Sequence, residues 1–286
     1  MTGKTRPRIR IVTDNAADLD RAVAAGHGVA VVHLDVRLGA FGPEVTKTWT
    51  SEEFWARSAA VEQLPETSAP SPGEFKETFS ALADEGAEGT VCITLSSKLS
   101  ATYQSAVLGA ESVTDQIPVR VVDSLLATMA EGLVVLDAVA TAEAGGDIEA
   151  VERTAIASRE RILLFGALET LDNLRKGGRL GSAQALLGGL LDIKPVLEIR
   201  DGVLGLESRP RTRSRSFERH ITKVREAGEL DRLAVVHASA SDVQSFVDLL
   251  ATLLPRDRIS VGWLGPVIGT HVGRGTIAVA AQRSLT

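Results

Sequence analysis

The chain has 286 residues, of which 44% are hydrophobic and 24% charged, a balance that predicts a folded core and excludes wholesale disorder. Its net charge is −6 at pH 7 and only 4% of its residues are aromatic, which argues against a protein that holds nucleic-acid phosphates or stacks on bases. The single cysteine, Cys92, excludes an intramolecular disulfide and a cysteine-rich zinc site. No signal-peptide pattern occurs in residues 1–10 and no apolar stretch is long enough to cross a bilayer, so we expect a cytoplasmic protein without a transmembrane segment.

The first half of the chain alternates β-rich runs with helical segments. Helix starts are marked by two capping boxes, Thr50-Ser-Glu-Glu53 and Ser71-Pro-Gly-Glu74. Such alternation predicts a largely parallel sheet flanked by helices, with a ligand crevice at the carboxyl ends of the strands. The predicted strands are Arg8–Asp14, Val29–Leu38, Gly89–Leu95 and Pro118–Asp123, and they end in small polar residues such as Asp14-Asn15, Ser96-Ser97 and Asp123-Ser124.

The second half has a different pattern. A β-hairpin is predicted from Ile193–Ile199 and Val203–Glu207 around the turn Asp201-Gly202. Two further strands, Arg232–His237 and Arg258–Leu264, flank a helix at Ser241–Leu253. We therefore predict an α/β fold of two domains, residues 1–158 with a largely parallel sheet and residues 159–286 with a mixed or antiparallel sheet.

Polar stretches in each half could bind a ligand. Thr67 lies in a stiff proline-rich loop at 64–74 and has no structural role that the sequence explains, whereas Ser71 in the same loop completes a helix cap. Ser97 and Ser100 lie between a predicted strand and the helix at about 100–109, where free N–H groups could receive an anion or the serines could act only as a cap.

Two glycine-rich stretches of the second half each present a basic residue. Leu174–Ser182 carries Arg179 among glycines without the Gly-Lys-[Ser/Thr] of a Walker A loop, and this arginine could pair with an acid or lie in a solvated turn. His271 in Leu264–Gly275 could donate to a carboxylate or be structural. The other histidines show no metal-ligand spacing, so no metal site is predicted.

Four arginines at residues 209–215 form a basic patch on an otherwise acidic chain. The patch could be a solvated face or a docking surface for an acidic partner. Its candidate docking residues are Arg209, Arg211 and Arg213.

Taken in order, these motifs resemble the DegV family from Ile11 to about Ala280. They are Ile11–Asp14, Thr67–Phe75, Ser96–Ser105, Val121–Ser124, Leu174–Leu191 and Gly265–His271. The chain departs from the family pattern at Asn15, Ala69 and Ala101, where the family usually has Ser, Gln and Gly.

The resemblance implies a protein that holds one long-chain fatty acid in an apolar tunnel between its two domains, without a cofactor. The carboxylate would meet Thr67 and Ser100 with Ser97 close by, and His271 and Arg179 would complete the polar network. The apolar residues 183–191 could line the tunnel or belong to the core.

Some family members resemble the fatty-acid-binding subunit of a bacterial fatty acid kinase. In that system a separate kinase subunit uses ATP to convert the bound acid to an acyl phosphate, and Arg211 best matches the docking arginines. This role makes the chain non-catalytic and places it in phospholipid metabolism.

Two alternatives remain open. One is a regulatory protein that senses a lipid and contacts a partner through the arginine patch. The other is a serine hydrolase or acyltransferase that uses Ser97 or Ser100 with His271 and with Asp14 or Asp123, although the Gly-x-Ser-x-Gly elbow of many such enzymes is missing.

Overall fold

A computed structural model describes residues 8–180 and 193–285 of the chain. The described residues divide into two compact units: those within Met1–Leu34, Ala69–Ala127 and Glu131–Glu160 form the first, and those within Asp35–Ser68, Thr128–Ala130 and Arg161–Thr286 form the second. The change near residue 160 lies close to the predicted boundary at 158. Residues 35–68, which the sequence analysis places in the N-terminal domain, are part of the second unit.

The described residues contain both strands and helices throughout. The strands are β1 (Ile9–Asp14), β2 (Ala30–Val32), β3 (Asp35–Arg37), β4 (Glu66–Ser68), β5 (Gly89–Thr94), β6 (Val119–Asp123), β7 (Ile162–Ala167), β8 (Val196–Arg200), β9 (Val203–Ser208), β10 (Leu230–His237), β11 (Ile259–Trp263) and β12 (Ile277–Arg283). The helices are α1 (Arg21–Gly26), α2 (Pro43–Thr46), α3 (Ser51–Ser58), α4 (Pro72–Asp84), α5 (Thr102–Glu111), α6 (Thr128–Glu143), α7 (Ile148–Arg161), α8 (Asp172–Lys176), α9 (Arg213–Glu226), α10 (Val243–Leu250) and α11 (Pro266–Val272).

The first unit is built on a parallel sheet of order β2-β1-β5-β6, which confirms the predicted parallel sheet. Its strands β1 and β5 are buried along their whole length, as expected where both faces of a sheet are covered. On one side, α4 and α5 pack through Phe75, Phe79 and Ala106. Both predicted capping boxes are present, and they begin α3 and α4.

The predicted strand Val29–Leu38 is wrong as a single element. It divides into β2, which belongs to the parallel sheet, and β3, which pairs antiparallel with β4. The side chain of Asn15 explains the break, because its Oδ1 accepts from Leu34 N at 2.7 Å and its Nδ2 donates to Leu34 O at 3.3 Å. These bonds take the backbone groups of Leu34 that a continuous strand would give to its neighbour.

The second unit contains a six-stranded sheet of order β11-β10-β12-β7-β8-β9. The β10–β11 pair is parallel and the other neighbours are antiparallel, so the predicted mixed sheet is confirmed. The hairpin turn has φ of 51° at Asp201 and 80° at Gly202, the two positive values that a type I′ turn requires. One face is covered by α9 and α10, with Phe165, Phe217 and Phe246 in the core between them.

None of the helices in the described ranges is both long enough and apolar enough to span a lipid bilayer.

Candidate functional site

Thr67 lies at the centre of β4, in a short two-stranded ladder of the second unit. It is paired with Val36 of β3, and its side chain is half-buried. Side chains alternate between the faces of a strand, so Thr67 points away from the side taken by Glu66 and Ser68, both of which are exposed. The strand therefore presents one hydroxyl to the interior of this unit.

That hydroxyl meets His271. Oγ1 of Thr67 lies 3.0 Å from Nε2 of His271, which is in the last turn of α11. Gly177 lies beside the Nδ1 edge of the ring, since a Cβ at that position would be 2.7 Å from Nδ1. The backbone of Gly177 thus leaves room for the imidazole, and the sequence analysis did not assign this role to it.

Arg179 acts on the same imidazole. The guanidinium is exposed and its NH1 donates to Gly177 O at 2.7 Å. Burial, and to a lesser extent the positive charge of Arg179, together lower the pKa of His271 from 6.5 to about 4. The ring is therefore neutral at pH 7. The structure brings together three of the predicted ligand residues, Thr67, Arg179 and His271.

The neutral imidazole determines which hydrogen bonds Thr67 and His271 can donate. If Nε2 carries the ring proton, it donates to Oγ1 of Thr67 and leaves the hydroxyl proton free for an external acceptor. Nδ1 is buried and has no hydrogen-bond partner among the described residues. With Arg179 adding positive charge nearby, the arrangement suits an anionic oxygen such as a carboxylate.

A side chain that the sequence analysis missed locks α8 to α11. Nδ2 of Asn173 donates to Thr270 O at 3.1 Å. A Cβ at Gly273 would lie 3.2 Å from the same Nδ2, and φ of Gly273 is 81°. This bond holds Thr270, the residue that precedes His271, against α8. It therefore helps to keep the imidazole beside Gly177. An isolated asparagine in a helix carries no sequence signal for such a role.

The predicted serines are placed by the first unit. Ser97 is exposed, and its N–H donates to Oδ1 of Asp123 at 3.1 Å. The half-buried Ser100 has its Oγ 2.9 Å from Oγ1 of Thr102, the first residue of α5. Both serines therefore lie in the loop between β5 and α5, and the helix that was predicted to begin at about Ser100 begins two residues later, at Thr102.

Asp14, at the end of β1, does not lie exposed at the edge of the sheet. It is fully buried, and its carboxylate accepts from Ala16 N and Leu95 N at 2.8 and 2.9 Å. Burial raises its pKa to about 7 against the opposing effect of these two bonds. Burial and the nearby Asp14 also raise the pKa of Glu131, which accepts from Thr13 at 3.2 Å. Both carboxyl groups therefore accept hydrogen bonds within the first unit.

One residue of the arginine patch, Arg213, forms ion pairs within its own unit. Arg213 donates to both oxygens of Asp242 at 2.9 and 3.0 Å and to Gly275 O at 2.7 Å, and it lies 3.1 Å from Glu169. Its guanidinium is thus engaged within the second unit. Arg209 and Arg211 are exposed.

Within residues 8–180 and 193–285, no cluster of three or more His, Cys, Asp or Glu side chains is arranged to hold a metal ion. The apolar stretch 183–191, for which a tunnel-lining role was considered, lies outside the described residues.

Comparisons with known proteins agree with the sequence resemblance. A sequence model described as "Uncharacterised protein, DegV family" matches residues 8–284. A DegV domain-containing protein of Streptomyces coelicolor is 36% identical over 278 residues, which cover 96% of this chain and 98% of the relative.

Solved structures extend the likeness to the fold. A DegV family protein from Thermus thermophilus, reported for its fatty acid binding, superposes with a TM-score of 0.85 at 32% identity, covering 97% of this chain and 100% of the other. DegV of Bacillus subtilis, described as a fatty acid binding protein, gives a TM-score of 0.87 at 26% identity with the same coverage.

Proposed function

Since this chain belongs to the DegV family, we propose that it binds one long-chain fatty acid without covalent chemistry. The observation that carries the proposal is the Thr67–His271 hydrogen bond of 3.0 Å, beside Arg179, in a chain whose similar structures include fatty-acid-binding proteins. A neutral imidazole that accepts no proton at pH 7 suits a binding site for a carboxylate better than a site of acid–base catalysis.

The head group is bound, in this proposal, by charge-assisted hydrogen bonds. The Thr67 hydroxyl donates to a carboxylate oxygen while its own oxygen accepts from Nε2 of His271, and Arg179 supplies the balancing charge. Ser97 and Ser100 are proposed as further head-group donors on the strength of the family resemblance. An unpaired carboxylate is costly to remove from water, so a protein that buries an acyl chain needs such donors.

The acyl tail provides the affinity. Each methylene that leaves water contributes about 0.8 kcal/mol, so a chain of ordinary length supplies ample free energy if it is enclosed. The function of the protein is then to keep a poorly soluble acid in solution and to present its carboxylate.

We further propose that the bound acid is presented to an ATP-dependent fatty acid kinase subunit in the cytoplasm, where it becomes an acyl phosphate for phospholipid metabolism. The exposed Arg209 and Arg211 support this step, because exposed positive charges attract acidic partners. The lone, buried Cys92 agrees with a reducing compartment.

Native mass spectrometry of the purified full chain tests the binding proposal. We expect a species heavier than the chain by one fatty acid, which denaturation releases for identification. A chain that is empty after purification and does not gain mass with added hexadecanoic acid would contradict the proposal.

Reversal of one exposed charge tests the presentation step. We expect Arg211→Glu to reduce acyl phosphate formation by a fatty acid kinase at least tenfold while fatty acid binding stays unchanged. Arg225→Glu is the matched control, because Arg225 is also exposed but lies in the last turn of α9, at the opposite end of this helix from Arg211. Equal kinase coupling in both variants would remove the arginine patch from the proposed function.

A further inference from the structure

The strand that carries Thr67 belongs to a ladder that is too short to be stable without packing against the rest of the unit. Residues 35–68 contain β3, α2, α3 and β4, and the β3–β4 ladder joins only Asp35–Arg37 to Glu66–Ser68. An isolated two-stranded ladder is marginally stable in water at best. The hydrogen bond of 3.0 Å between Thr67 and His271 therefore depends on further packing of this segment against α11, to which β3, β4 and α3 all contribute.

Trp55 of α3 makes the side-chain contact that is closest to the backbone of α11. Its side chain is only 4% exposed, and its Nε1 donates to Leu264 O at 2.7 Å. The indole lies directly on Gly269 of α11, where an added Cβ would be 2.3 Å from Cζ2 of Trp55. No residue larger than glycine fits at that position without moving the ring.

The contacts of Trp55 are distributed along the whole of α11. Leu264 precedes the helix, Gly269 lies in its middle, and Arg274 follows it and donates through NH1 to Trp55 O at 2.7 Å. The same helix carries His271. Trp55 thus contacts α11 at Gly269 and the residues on either side of the helix at Leu264 and Arg274, and the Thr67–His271 bond joins the same two parts of the chain.

We propose that Trp55, seated on Gly269, is a positioning residue that sets the Thr67–His271 geometry and through it the preference of the site for a carboxylate head group. This inference rests on the proposed fatty acid binding. It assigns to Trp55 no contact with the ligand. Its effect is therefore on head-group recognition and not on the free energy contributed by each methylene of the tail.

Comparison of an acid with an alcohol of the same chain length separates these two effects. Affinities of the full chain for hexadecanoic acid and hexadecanol are measured with the parent, Trp55→Phe and Gly269→Ala. Phenylalanine keeps most of the apolar surface but leaves Leu264 O without its donor, and alanine at 269 displaces the indole. We expect the ratio of acid to alcohol affinity to fall about tenfold in both variants, while alcohol affinity changes less than twofold.

Trp49→Phe is the matched control. Trp49 is a second buried tryptophan of residues 35–68 and packs against Phe41 with a centroid distance of 5.2 Å. Its substitution should leave the acid-to-alcohol ratio unchanged. Thermal unfolding shows whether each variant is folded, and Gly269→Ala decides the question alone if Trp55→Phe does not fold.

The outcomes are distinct. A parent chain that binds neither compound overturns fatty acid binding itself. A parent that prefers the acid, with variants that keep this preference or lose both affinities equally, overturns the positioning role and leaves fatty acid binding intact.

Discussion

Replacing Thr67 by valine is expected to lower the affinity of the chain for a long-chain fatty acid by about tenfold to a hundredfold. Valine has nearly the shape of threonine, so β4 and its pairing with Val36 are retained. The loss is one hydrogen bond to a charged group, which contributes about 1.5–3 kcal/mol. Nε2 of His271 also loses its partner at 3.0 Å, a loss that affects the free chain as well as the complex.

Titration calorimetry with hexadecanoic acid measures this effect, and Thr48→Val is the control. Thr48 lies on the same segment, but it is exposed and its hydroxyl donates locally to Val45 O at 2.7 Å. The double variant Thr67→Val, His271→Gln should lose less than the sum of the single losses, because the two side chains act as a pair. Affinities of Thr67→Val and Thr48→Val that agree within twofold would show that Thr67 does not bind the head group.

Acidification is expected to destabilise the second unit through His220. This side chain is fully buried, its Nδ1 lies 2.8 Å from Ser216 O, and its ring packs on Phe165 with a centroid distance of 5.0 Å. Burial lowers its pKa from 6.5 to about 4. The unfolded chain therefore binds the proton more readily than the folded one, and stability is lost as the pH falls from 6.5 toward 4. The difference between the two pKa values amounts to about 3 kcal/mol.

Urea unfolding of the parent and of His220→Gln at pH 7 and pH 4 isolates this contribution. Asp14 works in the opposite direction, since its folded-state pKa of about 7 exceeds the ordinary 3.8 and stabilises the folded chain as the pH falls. That effect, and those of His237 and His271, are common to both proteins and cancel in the comparison. We expect the parent to lose about 3 kcal/mol more than the variant, and parallel pH profiles would contradict the assignment to His220.

Local rules were enough for many elements of this chain. The capping boxes at Thr50 and Ser71 begin helices as predicted, and Asp201-Gly202 makes the predicted hairpin. Each of these signals needs only a few neighbouring residues, because a cap or a tight turn satisfies its own backbone groups. The alternation of strands and helices likewise predicted a parallel sheet, which the first unit has.

Central strands of the second unit were missed. β7 begins at Ile162 directly after α7 ends at Arg161, without a turn residue between them. β12, Ile277–Arg283, is rich in alanine, which has a low preference for strands. Both are strands because their neighbours in the six-stranded sheet bury them, a cause that no window of sequence contains.

By itself, the sequence determined the fold class, the family and the residue types suited to a carboxylate. Only the tertiary structure decided which of them meet: Thr67 and His271 are 204 positions apart, and they are brought together in a fold where Trp55 packs on Gly269 and Gly177 leaves room for the imidazole. The physical reason is that caps and turns are satisfied within a few residues, whereas a hydrogen bond between distant side chains exists only when packing elsewhere brings their backbones together.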